Sequence, residues 1–223
     1  MYMENMFANC KLRLTDADIE RLGEKPHYYK FEDIVLYNSY KKDDRKVLSN
    51  FYTDCGILYD GMRFHSAEQM LFYSDFVRWG KGIKGQDKAL RVLFDCSCGQ
   101  EVKNNGVIKG FSDKVHQVKY DVLGYKDAHL DGWMNVYNCI WYKYRYCEEF
   151  SRVLDSYCDR GLVPCEHCIW MDNFAGVVFD KETRLYKGMN ICGRAMHAVY
   201  RDFKEGRGNR VEGKLWEVLP PDN

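Results

Sequence analysis

Tyr59-Asp60-Gly61-Met62-Arg63-Phe64-His65-Ser66-Ala67-Glu68-Gln69 joins two kinds of local structure in one short run. Asp60-Gly61 is the dipeptide of a tight hairpin turn, because such turns need positive φ at both central residues and these residue types tolerate it. The apolar run Gly56-Ile57-Leu58-Tyr59 precedes it, so a strand should enter the turn. Ser66, followed at the third position by Gln69, reads as a capping box: the serine oxygen can accept from the Gln69 amide as the helix begins. A dense apolar helix is therefore expected from Ala67 to about Trp79. A strand, a turn and a capped helix in sequence, without regular βαβ alternation elsewhere, argue for an α+β fold with helices in the majority and a small β-sheet.

Working outward, Ile34-Val35-Leu36-Tyr37 reads as a strand, set apart by the polar run Lys41-Lys42-Asp43-Asp44-Arg45. Residues 1–30 read as an N-terminal appendage, with Thr15-Asp16-Ala17-Asp18 opening a short helix that stops at Gly23; residues 31–223 form the domain. Trp133, Val136, Tyr137, Ile140, Trp141 and Tyr144 recur at helical spacing, Phe150, Val153, Leu154, Tyr157 and Cys158 repeat the pattern, and Gly161 supplies a stop. Cys168-Ile169-Trp170-Met171 and Gly176-Val177-Val178-Phe179 read as short strands, Arg194 to Phe203 as a last helix and Leu215-Trp216-Glu217-Val218 as an extended end.

Composition narrows the function. The chain has 223 residues, 46% hydrophobic and 15% aromatic, which suits one aromatic-rich core and excludes a disordered or low-complexity chain. Its 33 basic and 33 acidic residues cancel, so it lacks the overall cationic field of a non-specific duplex binder, and any nucleic-acid contact must be local. No run approaches the ~18 apolar residues of a membrane span, and Met1-Tyr2-Met3-Glu4-Asn5 does not open an export signal. A cytoplasmic protein without membrane contact is expected, its 10 cysteines reduced. Cys165-Glu166-His167-Cys168 has zinc-like spacing, but Cys96-Ser97-Cys98 is a poor second pair, so free thiols and no metal are expected.

Several blocks resemble the NADAR/YbiA family of nucleotide-processing N-glycosidases. Leu48-Ser49-Asn50-Phe51-Tyr52 is similar to its Ser-Asn-aromatic-Tyr start, Tyr59-Asp60-Gly61 to its apolar-Asp-Gly turn, and Ser66-Ala67-Glu68-Gln69 to its Ser-x-Glu-His/Gln helix opening. Gln100-Glu101-Val102-Lys103-Asn104-Asn105-Gly106, the helix from Trp133 to Lys143-Tyr144, Asp172-Asn173-Phe174-Ala175-Gly176 and Gly188-Met189-Asn190-Ile191-Cys192-Gly193-Arg194-Ala195-Met196 follow in the family's order. The resemblance implies a helix-rich YbiA-like domain without a cofactor. Such a domain hydrolyses the bond between a ribosyl carbon and a base nitrogen in an ADP-ribose-containing or ribosyl-phosphate nucleotide, ADP-ribosylated guanine in nucleic acid among them. It implies Glu68 and Asp172 as catalytic residues, and Asn50, Phe51, Tyr52, Asp60, Gly61, Gln69, Lys103, Trp133, Phe174, Gly176, Asn190, Gly193 and Arg194 as the substrate-binding set.

The residues support part of this unaided. Breaking an N-glycosidic bond builds positive charge on the ribose, so a carboxylate is needed to stabilise it or to activate water. Glu68, second in its helix, sits where the dipole favours its ionised form by about 0.3–1 kcal/mol, which suits a base; acidic residues also fill such positions for purely structural reasons. Asp172 follows an apolar run and precedes glycine, a place for a displayed side chain or for a simple turn. Trp133 could stack on a base or belong to the core. The basic residues between Arg184 and Lys214 and the glycines around Asn190 would welcome a phosphate ahead of the Arg194 helix, while Lys81, Lys84, Lys88 and Arg91 form a second basic stripe.

Three positions depart from the family pattern: Asp75 stands where many members carry a lysine able to form an imine, Ala175 replaces a tryptophan, and Val107 an arginine. Two functions follow, an N-glycosidase or a module that keeps the ADP-ribose pocket without turnover.

Overall fold

The computed structural model describes residues 26–168 and 175–206. The Thr15–Gly23 helix, the Leu215–Val218 segment, and the residues Ile169, Trp170, Met171, Asp172, Asn173 and Phe174 lie outside them. The order is β1 (His27–Tyr29), β2 (Ile34–Tyr37), β3 (Ile57–Tyr59), β4 (Met62–Phe64), α1 (Ala67–Trp79), α2 (Gln86–Asp95), α3 (Gly99–Asn104) and α4 (Gly106–Tyr146). There follow α5 (Glu148–Cys158), β5 (Val163–Glu166), β6 (Val178–Phe179), β7 (Tyr186–Gly188) and α6 (Ile191–Lys204). The architecture is α+β and helix-dominated, and no helix among the described residues is long and apolar enough to cross a membrane.

Instead of one small sheet the described residues build three. β1, β7 and β6 make an antiparallel sheet with His27 opposite Gly188, β2 and β5 pair in parallel from Ile34–Val163 to Tyr37–Glu166, and β3–β4 is the hairpin. Each strand is only two to four residues long, and a single bridge between His167 and Val177 joins the β2–β5 pair to the β1–β7–β6 sheet. Asp60 (φ 53°) and Gly61 (φ 72°) take the left-handed conformation that the turn demands.

Ser66 caps α1 by accepting from the Gln69 amide at 3.2 Å. The other half of the box shifts by one residue, because the Gln69 side chain accepts from the His65 amide (3.1 Å) and donates to Leu93 O (3.0 Å), which fixes α1 against α2. The Trp133–Tyr144 stripe lies in the second half of α4, which Gly124 (φ 75°, ψ 173°) interrupts. α1 packs on its first half through Phe76 and Phe111, edge to face at 4.8 Å. Trp141 and Tyr144 of its second half meet Phe203 of α6 at 5.5 and 4.4 Å. Gly193 lets α6 press on β5: a Cβ there would stand 1.8 Å from Pro164 O. The main core thus lies between α1, α4 and α6.

Candidate active site

Glu68 is the second residue of α1, and its amide donates to Asn50 O at 3.0 Å. That bond draws the residue into the interior, where it is 6% exposed. Its carboxylate accepts no hydrogen bond from the described side chains or backbone. Burial pushes the Glu68 carboxyl up, and the Lys103 ammonium pulls against it. Desolvation thus outweighs the helix dipole and raises the affinity of the Glu68 carboxylate for a proton, the direction a general base requires.

The segment before the hairpin, whose Asn50 carbonyl accepts from the Glu68 amide, is held from two sides. Lys143, fully buried in α4, donates to Val47 O (2.8 Å) and Ser49 O (2.7 Å), and its ammonium lies 4.3 Å from the centre of the Phe150 ring. On the other side, Gly99 opens α3 so close to the segment that a Cβ would meet Phe51 Cα at 2.9 Å. α3 thereby brings Lys103, whose ammonium stands 5.1 Å from the Phe51 ring centre. Asn50 spans from this segment to α6 through Nδ2 and Cys192 Sγ, 3.8 Å apart, while its buried Oδ1 accepts no hydrogen bond from the described residues. The Cys192 amide in turn donates to Ala175 O (3.1 Å), and the Asn190 amide to Gly176 O (3.2 Å). Asn50, Phe51, Glu68 and Lys103 are thus brought together, and the C-terminal flank of the segment carrying Asp172 and Phe174 is tied to the same end of α6. Asp172 and Phe174 themselves lie outside the described residues.

The other expected binding residues build the frame. The Tyr52 hydroxyl donates to Glu149, which turns the ring toward α5. Asp60 accepts from the Tyr73 hydroxyl (3.0 Å), and Asp60-Gly61 form the hairpin turn. Gln69 is consumed by His65 and Leu93. Gly176 allows chain contact, since a Cβ would sit 2.2 Å from Glu166 O. Asn190, fully buried at φ 49°, donates to Pro164 O (3.0 Å) and holds the turn into α6. Trp133 is 7% exposed with the Arg194 guanidinium 5.6 Å from its ring centre, so that face is already occupied by a cation.

Asp75 lies two turns beyond Glu68 on α1 and is held in a buried ion network. Lys119 Nζ is 2.8 Å from Asp75 Oδ1 and 2.8 Å from Asp131 Oδ2, Asn135 Nδ2 donates to Asp75 at 2.9 Å, and Arg78 pairs with Asp131. The Trp79 indole adds a bond to Asp131 at 3.2 Å. His116 Nε2 stands 3.9 Å from Asp75, yet burial pushes the imidazole down to about 4 against the pull of that carboxylate, so it is neutral near pH 7. An amine thus stands opposite Asp75, on α4, bound to two carboxylates.

The sequence places Lys143 only at the end of the Trp133 helix and gives neither it nor Lys119 a role. The available signal for Lys143 was a lysine between Tyr142 and Tyr144 inside an apolar helical stripe, where burial demands partners that only the fold reveals. The cysteines among the described residues are free thiols, and those residues contain no group of three or more His, Cys, Asp or Glu able to hold a metal. No family model, curated protein or solved structure matches the chain.

Proposed function

We propose that the chain is an N-glycosidase that hydrolyses the bond between a ribosyl carbon and a base nitrogen in an ADP-ribose-containing or ribosyl-phosphate nucleotide. One observation carries the reading: Glu68 is 6% exposed at the start of α1, burial pushes its carboxyl up, and it lies within the field of Lys103, whose ammonium faces the Phe51 ring. A carboxyl desolvated in this way binds its proton more tightly, which suits a group that takes a proton from water near a ligand. The resemblance to the NADAR/YbiA family supports the same reading.

In this mechanism Glu68 takes the proton of a water molecule as its oxygen bonds to the anomeric carbon. The carbon–nitrogen bond breaks, its electron pair stays on the base nitrogen, and a proton returns to the base. The negative charge of Glu68 also offsets the positive charge that develops on the ribose ring. Asn50 Oδ1 offers an acceptor to a ribose hydroxyl, Lys103 pairs with a phosphate, and the Phe51 ring flanks the ligand. Asp172 enters as the second carboxylate through the family resemblance alone.

A second reading, a module that binds ADP-ribose without turnover, is favoured by Asp75, which removes the imine-forming lysine from α1 and engages the nearby Lys119 in ion pairs. Mixing the protein with ADP-ribosylated guanine nucleotide, and following released ADP-ribose and binding heat together, separates the two. Release that disappears in Glu68→Gln supports the enzyme. Binding without release selects the module, and the absence of both overturns the ADP-ribose substrate class.

A further inference from the structure

A lysine that the proposed chemistry does not use holds the chain on which that chemistry depends. Lys143 is fully buried in the second half of α4, and among the described residues its ammonium forms no ion pair with a carboxylate. An ammonium taken out of water is costly unless its protons find acceptors, and an apolar side chain would fill the same space without that cost. Lys143 finds two acceptors, Val47 O and Ser49 O, and lies against the Phe150 ring. The Ser49 carbonyl belongs to the peptide group that enters Asn50, and it also accepts from the Tyr52 amide at 3.1 Å. The peptide group that leaves Asn50 is held at both ends. Its carbonyl accepts from the Glu68 amide at 3.0 Å, and its N–H, that of Phe51, donates to Ser49 Oγ at 3.3 Å. Peptide groups are planar, so fixing the two that flank a residue fixes its φ and ψ and hence the direction in which its side chain leaves. Asn50 is thereby aimed: Nδ2 lies 3.8 Å from Cys192 Sγ, and the buried Oδ1 accepts no hydrogen bond from the described residues. A buried amide oxygen kept without a donor points to one brought by a ligand.

We propose that Lys143 is a positioning residue, which fixes the backbone of Asn50 so that Oδ1 is already placed for a ribose hydroxyl when the ligand arrives. The proposal rests on the reading of the site as a pocket for an ADP-ribose-containing nucleotide. Lys143 acts through the Ser49–Asn50 peptide rather than on the ligand itself. The two anchors of Asn50 come from different helices, α4 through the Lys143 side chain and α1 through the Glu68 backbone. A neutral, apolar side chain at position 143 leaves the second anchor and releases the first, so that Asn50 samples orientations in which Oδ1 turns from the ligand. With the lysine in place, the cost of ordering Asn50 is met in folding rather than in binding. Position 143 therefore contributes to affinity only while residue 50 carries its amide.

Isothermal titration of ADP-ribose into the full chain tests this as a double-mutant cycle built from Lys143→Met and Asn50→Ala. Each single variant should bind about tenfold more weakly, the usual worth of one hydrogen bond. The double variant should stay within about twofold of Asn50→Ala, because the two act as a unit. A general loosening of the core by Lys143→Met would weaken the Asn50→Ala protein as much as it weakens the parent. A double variant about a hundredfold weaker than the parent, or a Lys143→Met protein that binds as the parent does, therefore overturns the proposal. Hydrogen exchange of the unsubstituted protein decides the matter if Lys143→Met fails to fold. The amides of Phe51 and Glu68 should be protected before ADP-ribose is added; exchange at the free rate until ADP-ribose is present would show that nothing holds Asn50 in advance. Binding and chemistry are read separately. A parent that binds no ADP-ribose overturns the ligand class and this role together, whereas a parent that binds it but releases no base from ADP-ribosylated guanine nucleotide ends the glycosidase reading alone, and the binding cycle still decides the role of Lys143.

Discussion

Glu68 and Asp75 share one face of α1, two turns apart, and their surroundings are opposite. Asp75 is paired with Lys119, accepts from Asn135 and lies beside a network in which Lys119 and Arg78 balance Asp75 and Asp131. Glu68 is buried and receives no donor from the described residues. A fold that matches its charges so carefully at one end of a helix has no structural reason to leave a carboxylate bare at the other. The matched end ties α1 to α4; the bare end, whose neighbour Gln69 is fixed to Leu93 and His65, is where the proposed ligand would bind.

The comparison breaks most visibly if the two ends are neutralised in turn. Glu68→Gln keeps the shape and removes the charge, so turnover should fall by about 10³-fold or more while affinity stays within about tenfold. The same variant should be no less stable than the parent at neutral pH, because no donor is orphaned. A thermal melt beside the release assay checks both, and unchanged turnover would remove Glu68 from the mechanism. Lys119→Met should do the reverse. It strands Asp75 and Asp131 in the interior and should destabilise the fold by about 3–5 kcal/mol, the usual penalty for breaking a buried pair from one side. A denaturant titration measures it, and a loss under 1 kcal/mol would mean that the network is solvated rather than structural.

The matched end also carries a pH signature that the bare end reverses. A histidine held down to about 4 in the folded chain binds fewer protons than the unfolded chain between that value and 6.5, so His116 makes stability fall as pH drops through this window. The slope is at most about 1.4 kcal/mol per pH unit. Glu68 works oppositely. Its carboxyl is raised, so its favourable contribution is complete below the ordinary value of 4.5 and disappears as pH rises through the folded value. His116→Gln should flatten the stability profile between pH 4 and 6.5, and Glu68→Gln should raise stability at the alkaline side. Profiles that leave both slopes unchanged would place these groups in water.

What was legible in the sequence follows the range of the interactions. The hairpin at Asp60-Gly61, the Ser66 cap, the helix from Ala67 to about Trp79 and the Gly161 stop depend on neighbours within a few residues, and these read correctly. The first half of α4 did not read as a helix, because Gly106, Gly110 and Gly124 each weaken helix propensity by about 1 kcal/mol, and packing of Phe111 on Phe76 overrides that. The parallel pairing of Ile34–Tyr37 with Val163–Glu166 joins segments far apart in the chain and leaves no local mark. At the site, Glu68 was legible as a capped-helix acid, but the sign of its pKa shift was not, since burial depends on α3 and α4. Tyr52, Asp60, Gln69 and Trp133 were legible as motif residues, and the structure spends their polar groups and faces on Glu149, Tyr73, His65 and Arg194.

The smallest effect gives the sharpest test of the division along α1. Ser66 holds only the first turn, where its oxygen accepts from the Gln69 amide. Ser66→Ala should cost about 1 kcal/mol, the usual worth of a serine cap, and fray the turn that carries Glu68 without touching Asp75. Hydrogen exchange then separates the two ends. The amides of Gln69 and Met70 should exchange several-fold faster, those from Phe76 to Trp79 at the parent rate, and turnover should fall only a few-fold because Glu68 is still present part of the time. Uniform acceleration along the helix would show that α1 opens as one unit, and the contrast between a matched structural end and a bare functional end would then have no dynamic counterpart.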